Sequence, residues 1–147
     1  MNAFVIGPDE GDRYEIGGGV VVVKAMPQQT SIGGFSVETF PPGFATPEHV
    51  HHRDDGVFYI LEGSMRFKCG EVDAVAHAGA TIYLPRGVPH AFRVEGDTPV
   101  RWFNVQSPHG DFMLRAIAVA ARTSPGPAVP SDESAIELLG PPPFPAA

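Results

Sequence analysis

Residues 43–51 of the sequence read Gly-Phe-Ala-Thr-Pro-Glu-His-Val-His, and residues 79–90 read Gly-Ala-Thr-Ile-Tyr-Leu-Pro-Arg-Gly-Val-Pro-His. His49 and His51 are two positions apart, so on an extended strand both imidazoles point to the same face. Two imidazoles on one face can share a metal ion at about 2.0–2.1 Å per bond. His90 opens another short strand about forty residues later, where a barrel can bring a third imidazole alongside. The spacing therefore predicts a three-histidine site for one divalent ion (Fe, Ni, Zn or Mn).

Short β-rich segments surround these two stretches. Each is rich in Val, Ile, Phe, Tyr or Thr and is bounded by Gly, Pro or Asp. They are Val20–Lys24, Gly34–Phe40, Val57–Leu61, Met65–Cys69, Thr81–Leu84, His90–Val94 and Arg101–Gln106. Between two of them Glu62-Gly63-Ser64 predicts a hairpin turn, with Gly63 free to adopt a positive φ. No long helical period interrupts this region, so the sequence predicts an all-β sandwich or barrel.

The pattern changes near residue 109, where helical spacing replaces strand alternation. Apolar residues recur at helical spacing from Asp111 to Ala121, which predicts a helix packed against the barrel. After a proline-rich linker over Ser124–Pro130, Ser131–Ser134 offers capping residues for a short second helix over Ala135–Leu139. We therefore predict a single domain, with the barrel over about residues 15–108 and a helical, proline-rich tail over about residues 109–147.

The composition argues against several classes of protein. The 147 residues carry a net charge of −7, without the clustered Lys and Arg that bind nucleic-acid phosphates or an anionic membrane. A lone Cys69 cannot form an internal disulfide. No apolar stretch is long enough to span a bilayer, and no secretion signal is visible. We expect a cytoplasmic protein with a small-molecule substrate and with neither a nucleic acid nor a membrane as partner.

The two histidine stretches resemble the two motifs of the cupin superfamily. Gly43-x5-His49-x-His51 followed by Gly63 is similar to the first motif, and Gly79-x5-Pro85-x-Gly87-x2-His90 is similar to the second. The segment 138–143, Leu-Leu-Gly-Pro-Pro-Pro, is similar to the tail of single-domain cupins described as quercetin-dioxygenase-like. The resemblance implies a jelly-roll-like cupin β-barrel in which the motif histidines bind a divalent metal.

The sequence departs from the cupin pattern at the fourth ligand, where Gly56 stands in place of the usual Glu, and Val94 replaces a common Asn. Three neutral imidazoles leave the charge of the ion uncompensated, so metal affinity falls and a position opens for an anionic ligand. Some cupin dioxygenases manage with three histidines. Asp55 or Asp54 can replace the carboxylate, Asp55 through a bulge at Gly56, although Asp-Asp-Gly also reads as a turn. An empty site, with the histidines kept for core hydrogen bonds, is the alternative.

Strand alternation predicts the wall of a cavity below the metal. The side chains that share the phase of position 56 or of His90 are Phe58, Ile60, Phe92 and Val94. Trp102, Asn104 and Gln106 join them if their face of the last strand is the inner one; otherwise Arg101, Phe103 and Val105 face inward. A barrel core filled with side chains is the alternative interpretation of the same residues.

We predict a metal-dependent, dioxygenase-like enzyme for a small apolar, aromatic or enolisable substrate, without assigning a catalytic residue. The oxygenase chemistry is implied by the resemblance alone. One alternative is a non-oxidative cupin, an isomerase, cyclase or dehydratase with or without metal, and another is a non-catalytic module that binds a small ligand. We also expect a homodimer, joined partly through Val20–Lys24, because four consecutive valines place apolar side chains on both faces of one strand.

Overall fold

The structure, a computed structural model, describes residues 1–123 and 135–145, with the backbone alone for residues 118–123. The predicted linker over Ser124–Pro130 and the capping residues Ser131–Ser134 lie outside the described residues. The strands are β1 (Asp12–Ile16), β2 (Gly19–Ala25), β3 (Gly34–Phe40), β4 (Glu48–His51), β5 (Asp55–Glu62), β6 (Ser64–Cys69), β7 (Val72–His77), β8 (Thr81–Leu84), β9 (His90–Glu95), β10 (Val100–Ser107) and β11 (Ile136–Gly140). A 3-10 turn (Pro27–Gln29) and one helix, α1 (Asp111–Thr123), complete the described part.

The strands form two antiparallel sheets. One sheet has the order β1-β2-β3-β10-β5-β8, and the other has the order β11-β4-β9-β6-β7. Strand β10 shows the alternation clearly, because Trp102, Asn104 and Gln106 are buried while the residues between them are half-exposed. Trp102, Asn104 and Gln106 therefore form the inward face, which decides between the two alternatives for this strand. The prediction of an all-β fold is confirmed.

All seven predicted strands are present, with ends that differ from the predicted ones by at most two residues. The sequence does not predict β1 and β7, which lie at the ends of their sheets. Most residues of both strands are exposed. An edge strand can be held by backbone hydrogen bonds to a single neighbour, so it needs little of the apolar alternation on which sequence interpretation depends.

The prediction of a helix over Ala135–Leu139 is wrong, because this segment forms β11. The strand pairs antiparallel with β4, with Ile136 opposite His51 and Leu138 opposite His49. A five-residue helix would satisfy few of its own backbone groups, whereas β4 offers a row of unpaired ones. The C-terminal strand thus covers the edge of the strand that carries two of the three candidate ligands.

Helix α1 is tied to the barrel through its N-terminus. The Asp54 carboxylate, 1% exposed, accepts hydrogen bonds from the backbone N–H groups of His109 (2.6 Å) and Asp111 (2.8 Å). Arg53 Nε donates to Asp111 at 3.0 Å. A carboxylate at this position compensates the free N–H groups and the positive end of the helix dipole. The helix, predicted over Asp111–Ala121, is therefore present and fixed against the barrel. No helix in the described ranges has the length and apolar character needed to cross a membrane.

Candidate metal centre

Three histidines meet where β4 lies beside β9. His49 and His51 come from β4, His90 is the first residue of β9, and His49 is the register partner of His90. The ring centroids are 5.3 Å apart for His49 and His51, 4.4 Å for His49 and His90, and 5.1 Å for His51 and His90. One ring nitrogen from each lies within 4.8 Å of the other two. The structure therefore brings together the three predicted ligands in a cluster that could hold a metal ion.

Backbone carbonyls fix the tautomers of two of these imidazoles. His49 Nδ1 lies 2.7 Å from the carbonyl oxygen of Pro47, and His90 Nδ1 lies 3.1 Å from that of Val88. A carbonyl oxygen only accepts, so Nδ1 carries the proton in both rings and Nε2 keeps its lone pair. Metal-binding histidines in proteins are oriented by this kind of hydrogen bond. His51 Nδ1 is buried without a hydrogen-bond partner among the described residues, which leaves this ring with unused bonding capacity. The donor set fits a divalent ion.

Burial keeps these imidazoles neutral. It lowers the pKa of His51 to about 3, with further lowering from the neighbouring His90 and His49. It also lowers the pKa of His90 to about 4, again with a contribution from His49. The pKa of His49 is lowered by burial, against the hydrogen bond to Pro47, and Arg115 adds to the lowering at both His49 and His51. Near neutral pH the cluster therefore offers three lone pairs and no positive charge of its own.

Neither Asp54 nor Asp55 lies in the histidine cluster. Asp54 holds the N-terminus of α1, as described above. Asp55 accepts a hydrogen bond from the backbone N–H of Arg86 at 2.8 Å and pairs with its guanidinium at 3.0 Å, contacts that lower the pKa of Asp55. Both carboxylates proposed as replacements for the missing ligand are thus engaged with other partners.

The space beside Gly56 is filled by an amide. Gly56 is buried, and its register partners are Gln106 on β10 and Leu84 on β8. A Cβ atom at this position would lie 2.9 Å from Gln106 Nε2. Gln106 Nε2 donates to Asn104 Oδ1 at 2.9 Å, whereas Gln106 Oε1 is buried without a partner among the described residues. The side chain of Gln106 therefore occupies the place where the sequence predicts an open position.

A cavity of about 230 Å³ adjoins the histidines. Five aromatic side chains from the barrel and one from α1 line it, with the centroid of Trp102 5.1 Å from Phe92, 5.6 Å from Phe58 and 5.7 Å from Phe40. The residues that line it include Phe40, Phe44, Phe58, Phe92, Trp102 and Asn104 from the barrel, Phe112, Arg115 and Ala116 from α1, and Ile136 and Leu138 from β11. Of the predicted wall, Ile60 and Val94 do not line the cavity and belong to the packed core, 0% and 2% exposed.

The cavity also contains a carboxyl group, Glu38, that neither histidine motif includes. Glu38 is 3% exposed, its register partner is Trp102, and its Oε2 accepts a hydrogen bond from Ser36 Oγ at 3.2 Å. Burial raises the pKa of Glu38 to about 8, against the hydrogen bonds from Asn104 and Ser36. The group is therefore largely protonated near neutral pH. Its phase in β3, shared with the buried Phe40, is the feature of the sequence that could have identified it.

Comparison with known proteins agrees with this arrangement. Residues 36–106 match the family model described as a cupin domain. This segment of the chain, a little under half of its length, is similar to a cupin domain. The match runs from within β3 to within β10, so it includes the three histidines and the aromatic residues that the barrel contributes to the cavity. A search of curated proteins finds no match.

Several solved structures share the fold of this chain. The TT1209 protein from Thermus thermophilus is 28% identical over 67% of this chain and 90% of its own, with a TM-score of 0.57. KdgF from Halomonas sp. is 20% identical over 74% and 98% of the two chains, with a TM-score of 0.65. A predicted oxalate decarboxylase from Thermotoga maritima is 21% identical over 71% and 98%, with a TM-score of 0.64. At identities of 20% and 21%, the last two likenesses support the fold alone.

The contact between Gly56 and Gln106 leads to a prediction about the fourth ligand. We expect Gly56→Glu combined with Gln106→Ala to bind a divalent ion at least about tenfold more tightly, because a carboxylate then enters the space that the amide occupies and offsets part of the charge. Gly56→Glu alone should gain less, since its side chain must first displace the amide. Competition with a chelator measures these affinities.

The matched control for the fourth-ligand experiment is Gln106→Ala alone, which makes room without adding charge. Asp54→Asn and Asp55→Asn should leave metal affinity unchanged, because both carboxylates have other partners. If neither Gly56 variant changes metal affinity, position 56 does not contribute to the coordination of the ion. If either aspartate variant lowers it, the corresponding carboxylate reaches the ion after all.

Proposed function

We propose that the protein is a metal-dependent cupin enzyme of the quercetin-dioxygenase-like kind, with a small apolar, aromatic or enolisable substrate. The observation that carries this proposal is the cluster of three neutral imidazoles at one end of a cavity with an aromatic wall. His49, His51 and His90 would hold one divalent ion (Fe, Ni, Zn or Mn). A bound ion would supply Lewis acidity to substrate oxygens and, if redox-active, one-electron chemistry with dioxygen.

The chain's own residues account for substrate binding. A volume of about 230 Å³ lies below the roughly 300–1,000 Å³ typical of pockets for drug-sized ligands, so the substrate is small. Phe58, Phe92 and Trp102 offer ring faces and edges on which a planar substrate can stack. Ile136 and Leu138 of β11 add aliphatic side chains to the wall beside the histidines.

The proposal is tested by oxygen uptake. The full chain, reconstituted in turn with Fe, Ni, Zn or Mn, is given benzoylacetone or phenylpyruvate in an oxygen electrode. We expect oxygen uptake with at least one of the metals, lost in the His51→Ala variant and absent with metal and substrate alone. Turnover without oxygen uptake would replace this proposal by a non-oxidative one. No turnover with either compound and no metal binding would favour a module that only binds a small ligand.

A non-oxidative cupin activity is the second candidate, and Glu38 favours it. A buried carboxyl group that is protonated near neutral pH can donate a proton to a substrate and take it back, as general acid–base catalysis requires. Isomerisation or dehydration needs such a group and no dioxygen. Under anaerobic conditions, solvent deuterium should enter phenylpyruvate faster with the protein than without it. Glu38→Gln should lower this exchange by about 10²-fold or more; an unchanged rate would remove the basis of this candidate.

We propose further that the protein is a homodimer joined through the outer face of β2. Val21 and Val23 point into the core, whereas Val20 and Val22 lie half-buried on the outside, beside Val37. Since β2 is paired on both sides within its sheet, the contact involves side chains and not an added strand. Light scattering at micromolar concentration should give twice the mass of the 15.6 kDa chain, and Val22→Glu should halve it. A monomeric mass for the unaltered protein would contradict the proposal.

A further inference from the structure

The cavity contains one arginine, Arg115, whose charge has no partner among the described residues. Arg115 is in the second turn of α1, and its side chain is half-buried in the wall of the cavity that the histidines also line. No acidic group in the described ranges lies within 4.0 Å of it as an ion pair. The nearest acid in its own helix, Asp111, is already paired with Arg53. As far as the described residues show, the guanidinium is therefore available to a ligand.

The charges around this cavity favour an anion. Glu38 is the one carboxylic acid among the lining residues that the structure describes, and it is held in its neutral form by burial. The three histidines add no negative charge in either protonation state, and any ion that they hold adds positive charge. The chain as a whole carries a charge of −7, so the positive site is a local feature of the cavity. A guanidinium beside an apolar wall is compensated most effectively by a carboxylate, which it can bind through two parallel hydrogen bonds.

The rest of the wall restricts what the anion is attached to. Among the described residues that line the cavity, Arg115 alone has a permanent positive charge, which favours one carboxylate over two. Trp102, Phe58 and Phe92 surround the space with ring faces and edges, and a planar aromatic group packs well against such surfaces. The volume of about 230 Å³ admits one ring with a short side chain.

We propose that this cavity binds a small aromatic monocarboxylate, with the carboxylate held by Arg115 and the ring packed against Phe58, Phe92 and Trp102. The inference deepens the proposed function, since it names the substrate class of the same site. It requires no metal, because the guanidinium and the aromatic wall belong to the chain itself. The metal-dependent function and the binding of a carboxylate can therefore be tested separately.

The test uses the full chain freed of metal with a chelator, and two probes of the same shape, 3-phenylpropanoate and 3-phenylpropanamide. Trp102 is the only tryptophan and lines the cavity, so its fluorescence reports binding, and calorimetry gives an independent affinity. We expect the acid to bind about tenfold or more tightly than the amide. Arg115→Met should lower the affinity for the acid by about 10- to 100-fold and leave the affinity for the amide unchanged. Unchanged binding of the amide also shows that the cavity stays folded in this variant. Arg115→Lys should lower the affinity for the acid by a smaller factor, because it keeps the positive charge.

The matched control is Arg101→Met, which removes an arginine from the outward face of β10 and should change neither affinity. Equal binding of acid and amide, binding of neither probe at millimolar concentration, or an equal loss of both in Arg115→Met would overturn the inference. A protein that binds no metal would contradict the proposed function and leave this result standing. A protein that binds metal but shows no preference for the acid would contradict the binding of a carboxylate and leave the proposed metal-dependent function standing.

Discussion

Replacing His49, His51 or His90 by alanine is expected to lower the affinity for a divalent ion by roughly a hundredfold or more. Each variant removes one of three neutral nitrogen ligands, and no carboxylate among the described residues joins the cluster to compensate for the loss. The measurement is elemental analysis after reconstitution with Fe, Ni, Zn or Mn, followed by competition with a chelator. The unaltered protein should also unfold at a higher temperature when the ion is present, since the ion binds only the folded state.

His52→Ala is the matched control for this experiment. His52 follows His51 directly but is exposed and pairs with Glu137 at 2.9 Å, so its loss should leave the metal content unchanged. His77, exposed and hydrogen-bonded to Ser64, provides a second control. If the unaltered protein takes up none of the four metals and none of them raises its thermal stability, the metal hypothesis is wrong. The three histidines then serve the core alone.

Glu38→Gln is expected to change how the stability of the metal-free protein depends on pH. The pKa of Glu38 in the folded state is about 8, above its ordinary value of 4.5. Between these two values the folded state binds more protons than the unfolded state. Glu38 therefore makes the free energy of unfolding fall as pH rises, by up to about 1.4 kcal/mol per pH unit, until the effect is complete near pH 8. The glutamine side chain has nearly the same shape as glutamate, but it does not titrate.

Urea unfolding of both proteins between about pH 5 and pH 8 measures this effect. The variant should become the more stable one as pH rises, by an amount on the order of a few kcal/mol at the upper end. His51 and His90, with lowered pKa values, act in the opposite direction below about pH 6.5, but they do so equally in both proteins. Glu62→Gln, at an exposed carboxylate, should leave the profile unchanged. Parallel profiles for Glu38→Gln and the unaltered protein would mean that Glu38 is ionised in the fold.

The histidine cluster follows from local spacing, which is why the sequence predicts it. His49 and His51 share a face because the side-chain period of a strand is two, and the second motif places His90 at the start of β9. Glu38 is harder to find, because the same period of two does not by itself decide which face of β3 is the inner one. The phase of Phe35, Val37 and Thr39 has no charged residue, so β3 offers no clear inner face, and the phase with the glutamate is the buried one. The pairing of Glu38 with Trp102 places Glu38 on the inner face of the sheet. Such pairing depends on the whole sheet and not on the sequence of β3 alone.

Arg115 and β11 illustrate a second kind of information that the sequence does not contain. The helical period predicts that α1 packs against the barrel, but its rotation about its own axis depends on how Asp54 and Arg53 hold its N-terminus. That rotation places Arg115 in the cavity. For residues 136–140, local capping favours a helix, and the unpaired edge of β4 makes a strand. In both cases a partner distant in the chain determines the outcome.

The pairing of β11 with β4 has a consequence for the order in which the protein is made. Ile136 lies opposite His51, so β11 leaves the ribosome long after β4 has been synthesised. At about 5–20 residues per second, the nascent barrel waits for several seconds with the edge of its histidine strand open. During that interval the unpaired edge can accept another chain. Synthesis together with a chaperone that shields strand edges should therefore raise the yield of correctly folded protein.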